Sequence, residues 1–140
     1  MKTITFTKEL IPLIQSGRKT QTRRKISYNI MTRGEGLYKK TPIRRLEPGD
    51  ICVIKNSRFK PDTFGYIKII EVQQQRLDEI TEWDAKREGF DNPQEYEGSC
   101  ADQFFLIFCR INKINLGDAV NLQVWKIEFE YMASLPKKII

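Results

Sequence analysis

Between Gly17 and Arg24 the chain reads Gly-Arg-Lys-Thr-Gln-Thr-Arg-Arg, which puts four cations and two hydroxyls into eight residues. A threonine hydroxyl can act as a nucleophile when a neighbouring base takes its proton, and a desolvated lysine can be that base. Arginine N–H groups can hold an oxyanion or a phosphate. The chain contains no histidine, which removes histidine-based triads, histidine-ligated metals and the commonest general base. Any catalysis has to run on Lys, Thr or Ser, Tyr, Cys or carboxylates.

The elements around this run are legible. Residues 3 to 7 alternate as a strand. Leu10, Ile11 and Ile14 recur at helical spacing over residues 8 to 17, with Thr7 as a cap, Glu9 in the first turn and Gly17 as a left-handed stop. From residue 20 to 25 alternation returns, with Thr20, Thr22 and Arg24 on one face and Gln21, Arg23 and Lys25 on the other. A strand polar on both faces is not ordinary core. Residues 26 to 47 hold no sustained period and read as a long inserted basic loop. Pro48-Gly49-Asp50 is a turn before a strand at 51 to 55, and Tyr66 to Gln73 forms another. Thr81 starts a helix that Gly89 stops; Asn92-Pro93 opens a second, with a body from Tyr96 to Phe108 and an end near Asn112. Residues 124 to 131 alternate most cleanly, with Trp125, Ile127, Phe129 and Tyr131 sharing a core face. Helices between short strands give an α+β class, and about five strands suit a small twisted barrel.

A length of 140 residues, with 40% hydrophobic and 30% charged residues, fits one globular domain over residues 1 to 140. No apolar run approaches a membrane span, and the start lacks the apolar region of a secretory signal, so a cytoplasmic protein with no membrane partner is expected. Cys52, Cys100 and Cys109 match no zinc spacing and sit among apolar residues, as structural thiols. The net charge of +6 is unevenly spread: ten cations between Arg18 and Arg45 are opposed there by Glu35 alone, whereas acids gather between Asp78 and Asp102. Either this block meets a polyanion, with Lys39, Lys40, Arg44 and Arg45 as nucleic-acid contacts, or it is a solvated basic loop.

Taken in order, Ile-Thr-Phe, a short helix, Ser16 to Arg24, Pro48-Gly49-Asp50 and Ile80 to Phe90 resemble the ASCH domain family over most of the chain. ASCH domains are related to the PUA domain, a small β-barrel with flanking helices that binds RNA. The resemblance therefore implies a PUA-like barrel with a cleft for RNA or a modified nucleoside, and no cofactor or metal. Some compact ASCH proteins are amidohydrolases that remove the acetyl group from N4-acetylcytidine with a Lys, a Thr and a Glu, which match Lys19, Thr22 and Glu88. The chain departs from that group in its extended basic segment between Lys25 and Glu47.

Amide hydrolysis needs an activated hydroxyl or water, a proton acceptor and a cationic or N–H-rich place for the oxyanion. Thr22, Lys19 and Arg24 can fill these places, with Arg18, Arg23 and Arg24 as substrate contacts that also lower the lysine pKa. Glu88 can donate to the leaving amine or hold the cytosine edge. Residues three apart on a regular strand face opposite ways, so Lys19 and Thr22 converge only if a turn or bulge intervenes. The residues also admit plainer roles: Lys19 as a solvated lysine at a helix C-terminus, Thr22 as a β-former, Glu88 in a structural salt bridge. Amidohydrolase, non-catalytic RNA-binding module and protein-interaction module all stay open at this point.

Overall fold

The computed structural model describes residues 1–34, 37–57, 59–90 and 99–137, with backbone only at 31–33, 37 and 38. Strands β1 (Lys2–Thr5), β2 (Gln21–Lys25), β5 (Ile51–Lys55), β6 (Tyr66–Arg76) and β7 (Gln123–Met132) form one sheet in the order β1-β5-β6-β7-β2. The β1/β5 pair is parallel and the other pairs are antiparallel. Among the described residues, strands β3 (Tyr28–Arg33) and β4 (Leu37–Pro42) pair only with each other. Helices are α1 (Ile11–Gln15), α2 (Glu82–Arg87), α3 (Cys100–Ile111) and the short α4 (Leu116–Ala119). The protein is thus α+β. The expected barrel is represented by a sheet whose edge strands, β1 and β2, share no ladder among the described residues. They approach through a side chain instead, Arg24 Nη2 donating to the Thr5 carbonyl at 2.7 Å.

Both faces of the sheet contribute to buried clusters, the second only at one end. On one, Ile4, Ile54, Ile67, Ile69, Ile127 and Phe129 pack with Ile11 and Ile14 of α1. On the other, Leu77, Val124 and Ala85 pack with Phe104 and Phe108 of α3. The alternation read along β7 is observed, with Trp125 and Tyr131 partly buried against the first cluster; on the opposite face Val124 is fully buried and Glu130 is exposed. Strand β6 runs on to Arg76, past the expected end at Gln73, and contains a bulge: Ile69 pairs with Phe129 and Glu71 with Glu128. Phe129 and Ile127 share a face, so Ile69 and Val72 must share it as well, and only an extra residue between them allows that. Ile70 is the residue turned outward and is 48% exposed.

Two sequence expectations need correction. The first helix spans Ile11–Gln15, not residues 8 to 17. Its Ncap is Leu10, with no side-chain cap, and the Thr7 carbonyl, not its hydroxyl, accepts the Leu10 and Ile11 N–H groups. Pro12 lacks an N–H and fixes φ, so it belongs in the first helical turn and the helix begins beside it. The basic segment 26–47 is not a structureless loop, because β3 and β4 make a hairpin whose ends meet through Ile43 N–H to Ser27 O at 2.8 Å. Cross-strand pairing supplies an order that period counting along one strand does not reveal. The helix expected from Asn92-Pro93 is described from Cys100, where Ser99 caps it by accepting from Asp102 N–H; Asn92, Pro93 and Tyr96 lie outside the described residues. Cys52, Cys100 and Cys109 are all buried, and none forms a disulfide with a described residue. No helix among the described residues is long and apolar enough to cross a membrane.

Candidate functional site

Two stop signals bring the site together. Gly17, at φ +81°, ends α1 in the left-handed region, and Gly89, at φ +106°, ends α2. At φ +106° a side chain on residue 89 would be strained, and its Cβ would lie a tight 3.0 Å from Leu13 Cδ1, so glycine suits the close approach of the end of α2 to the exit of α1. Backbone bonds secure the approach: Lys19 N–H reaches Leu13 O, and Thr20 N–H reaches Arg87 O at 2.8 Å. Glu88, just past α2, is therefore placed beside Lys19, which precedes β2. Because Lys19 belongs to the turn and Thr22 to the strand, the two line one cavity although they are three residues apart.

That cavity, of about 230 Å³, is lined by Lys19, Thr22, Arg23, Arg24 and Glu88 together with an apolar wall that includes Phe6, Phe104 and Phe108. Arg18 is exposed and outside the wall. Lys39 and Lys40 are exposed on β4, Lys40 lying 4.1 Å from the Tyr28 ring centroid, and neither lines the cavity. Trp83 is likewise outside it, exposed and covered by Arg87 at 3.9 Å from the ring centroid.

The charged groups form a closed network. Lys19 Nζ donates to Gln21 O at 2.8 Å, Glu88 O at 2.8 Å and Glu88 Oε2 at 2.9 Å. Glu88 Oε1 accepts from Arg23 Nη1 at 3.0 Å. Arg23 also donates to Gln21 Oε1 and Gln75 Oε1 and pairs with Asp84 at 3.3 Å, while Asp84 takes Gln21 Nε2 and Lys126. Lys19, Arg23 and Glu88 are 3%, 4% and 2% exposed, so these charges persist only because each has partners. This accounts for the doubly polar strand: Gln21 and Arg23 face α2, while Thr22 and Arg24 face Phe6.

Electrostatics set Lys19 and Arg24 apart. Burial pulls the Lys19 pKa down, helped by Arg24 and Arg23 and opposed by Glu88. Three acceptors around Nζ nevertheless match the three donors of an ammonium, so the resting geometry is that of the charged form. Burial also lowers the Arg24 pKa. Arg24 Nε donates to Thr22 Oγ1 at 3.3 Å and its guanidinium carbon lies 5.0 Å from the Phe6 ring centroid, but no described carboxylate forms an ion pair with it. Arg24 and Lys25, which also lines the cavity, are its cations without a carboxylate partner among the described residues. For Asp84, burial opposes ionisation, but Thr81 N–H, Arg23, Gln21 and Lys126 together hold its carboxyl below the ordinary value.

Sequence reasoning expected Lys19, Thr22, Arg24 and Glu88 to converge on one cleft with Arg18 and Arg23 as further contacts; all but Arg18 line the cavity, and Gln21, Gln75, Asp84 and Lys126 behind it were missed. Asp84 read only as part of a helix start, and it does close a capping box with Thr81. The alternation that set Gln21 beside Arg23 was the available signal for the rest.

The sequence matches no protein-family model, and no curated protein matches it. Solved structures do. EF3133 from Enterococcus faecalis V583, of the family DUF984, superposes with a TM-score of 0.55 at 17% identity, covering 94% of this chain and 75% of that one. The ASCH domain from Lactobacillus crispatus JV V101 superposes with a TM-score of 0.51 at 18% identity, covering 88% of this chain and 70% of that one. The hypothetical protein PH0355 gives 0.54 at 17% identity, covering 94% of this chain and 100% of that one. At these identities the likeness concerns architecture, and the chain has an ASCH-like fold.

Proposed function

We propose that the cavity receives a modified cytidine, free or in RNA, and that Lys19, Thr22 and Glu88 hydrolyse the amide of its N4-acyl group. The observation that carries this reading is the convergence of Lys19, Thr22 and Arg24 with the distant Glu88 on one half-apolar cavity. The cavity lies below the roughly 300 to 1,000 Å³ of drug-sized sites, in keeping with a single base. In the reaction the Thr22 oxygen bonds to the acyl carbon while its proton passes to neutral Lys19, and Arg24 faces the oxyanion. The C–N bond then breaks as that proton moves to N4, releasing cytidine, and water cleaves the acyl-threonine ester to give the carboxylic acid and restore the hydroxyl. Glu88, bonded to Lys19 and Arg23, holds both in place.

One observation favours a second reading, binding without turnover: all three Lys19 N–H groups already have acceptors, and the hydrogen bond found at the Thr22 hydroxyl comes from a donor, Arg24. Incubation with N4-acetylcytidine, followed by chromatographic detection of cytidine and acetate, separates the two. The expected result is turnover that Lys19→Ala and Thr22→Ala abolish. Binding of the nucleoside or of RNA with no product would refute hydrolysis in favour of a binding module.

A further inference from the structure

A second cavity, of about 200 Å³, lies on the other side of Arg24. The two cavities share Thr5, Arg24 and Lys25 in their walls, so a ligand occupying both crosses the Arg24 guanidinium. The floor of the second is apolar and includes Trp125, Val72, Leu46 and Ile43; its cations are Arg24, Lys25, Arg44 and Arg45, and it contains no carboxylate. None of those four cations forms a salt bridge with a described residue.

This wall is built and anchored. Trp125 Nε1 donates to the Ile43 carbonyl at 3.2 Å, which fixes the indole, and Ile43 N–H reaches Ser27 O. Lys2 Nζ reaches both the Arg45 carbonyl and Asp50 Oδ2 at 2.7 Å, and Arg44 Nε donates to the Leu46 carbonyl. The segment after the hairpin is thereby held against the sheet with its two arginine side chains exposed. An aromatic and apolar floor with cations and no acid on its walls complements an amphiphilic anion, and one nucleotide of a single strand has that chemistry: a base to stack and a phosphate to pair.

We infer that the second cavity holds the nucleotide next to the target base, its phosphate on Arg44 and Arg45 and its base against Trp125, so that the protein takes the target base within an RNA strand. This rests on the base-binding reading of the first cavity and adds the substrate class. Kinetics with free N4-acetylcytidine test that first reading; a comparison of RNA affinities tests this one.

The probe is a short single-stranded RNA with one internal cytidine, measured with and without the N4-acetyl group, by fluorescence anisotropy at several salt concentrations. Arg44→Ala/Arg45→Ala should weaken RNA binding by about tenfold per arginine that had paired with a phosphate. The slope of log affinity against log salt should fall by about 0.7 for each such contact. Its kcat/KM for free N4-acetylcytidine should match that of the parent protein. Lys39→Ala/Lys40→Ala, which removes two cations outside both cavities, is the control and should change RNA affinity far less. The inference is overturned if the two double variants lose affinity equally, since the surface would then attract polyanions without a site. It is overturned equally if the arginine variant binds RNA as tightly as the parent. Absence of turnover with an arginine-specific loss of RNA binding would refute hydrolysis and support the strand site.

Discussion

Replacing Glu88 with Gln tests the network where its charges are most tightly balanced. The carboxylate makes bonds of 2.9 Å to Lys19 and 3.0 Å to Arg23, and none of the three side chains is more than 3% exposed. Glutamine keeps the shape but removes the charge, and its NH₂ must meet a lysine or arginine donor where an oxygen stood. Arg23 then keeps Asp84, while Lys19 is left with the Gln21 and Glu88 carbonyls and no carboxylate. Removing one partner of a buried ion pair costs about 3 to 5 kcal/mol, because the remaining charge is uncompensated. Against a typical domain stability of about 5 to 15 kcal/mol, that is a large fraction, and at about 4 °C per kcal/mol for a chain of this size Tm should fall by about 12 to 20 °C. Urea unfolding at pH 7 followed by circular dichroism reads it directly, as a lower midpoint with an unchanged slope. Adding Lys19→Met to Glu88→Gln should restore part of the loss, because one stranded cation is gone. A loss below about 1 kcal/mol for Glu88→Gln, with no recovery in the double variant, would mean that water and not Glu88 compensates these cations.

If neutral Lys19 is the base, kcat/KM rises with pH as the ammonium loses its proton, with a midpoint below the roughly 10.4 of an ordinary lysine because burial lowers it; Lys19→Arg, which cannot deprotonate, should abolish the rise, and a pH-independent parent rate would exclude the role. Asp84 has a lowered folded pKa, so its contribution is present above the unfolded value near 3.9 and is lost as pH falls through the folded one; Asp84→Asn should therefore flatten the acid limb of stability, measured by urea midpoints below about pH 4. Since Ser27 and Ile43 already meet, replacing residues 28–42 with a short Gly-Ser turn should preserve cooperative unfolding. Removing all of 26–47 should not preserve it, because Ile26 is buried, Leu46 packs on the core and Ile43 accepts from Trp125; urea unfolding of the two deletions distinguishes them.

The sequence by itself determined what is encoded within a few residues. The stop at Gly17, the helix start at Thr81, the stop at Gly89 and the alternation of β7 are each written in neighbouring side chains, and all appear in the structure. The run from Gly17 to Arg24 also marked itself, because a strand polar on both faces requires partners on both. What those partners are was a matter of tertiary structure. Glu88 lies 69 residues from Lys19, Gln75 lies 52 from Arg23 and Trp125 lies 82 from Ile43. Such pairs depend on strand order and on where two helix ends meet, and no local period records either. The bulge at Ile70 and the pairing of β3 with β4 are likewise properties of two strands together, visible only once the second strand is in place. Trp125 shows the division in one residue: its alternation assigned it to the core face, and only the packing of the segment after the hairpin made that face the floor of a cavity.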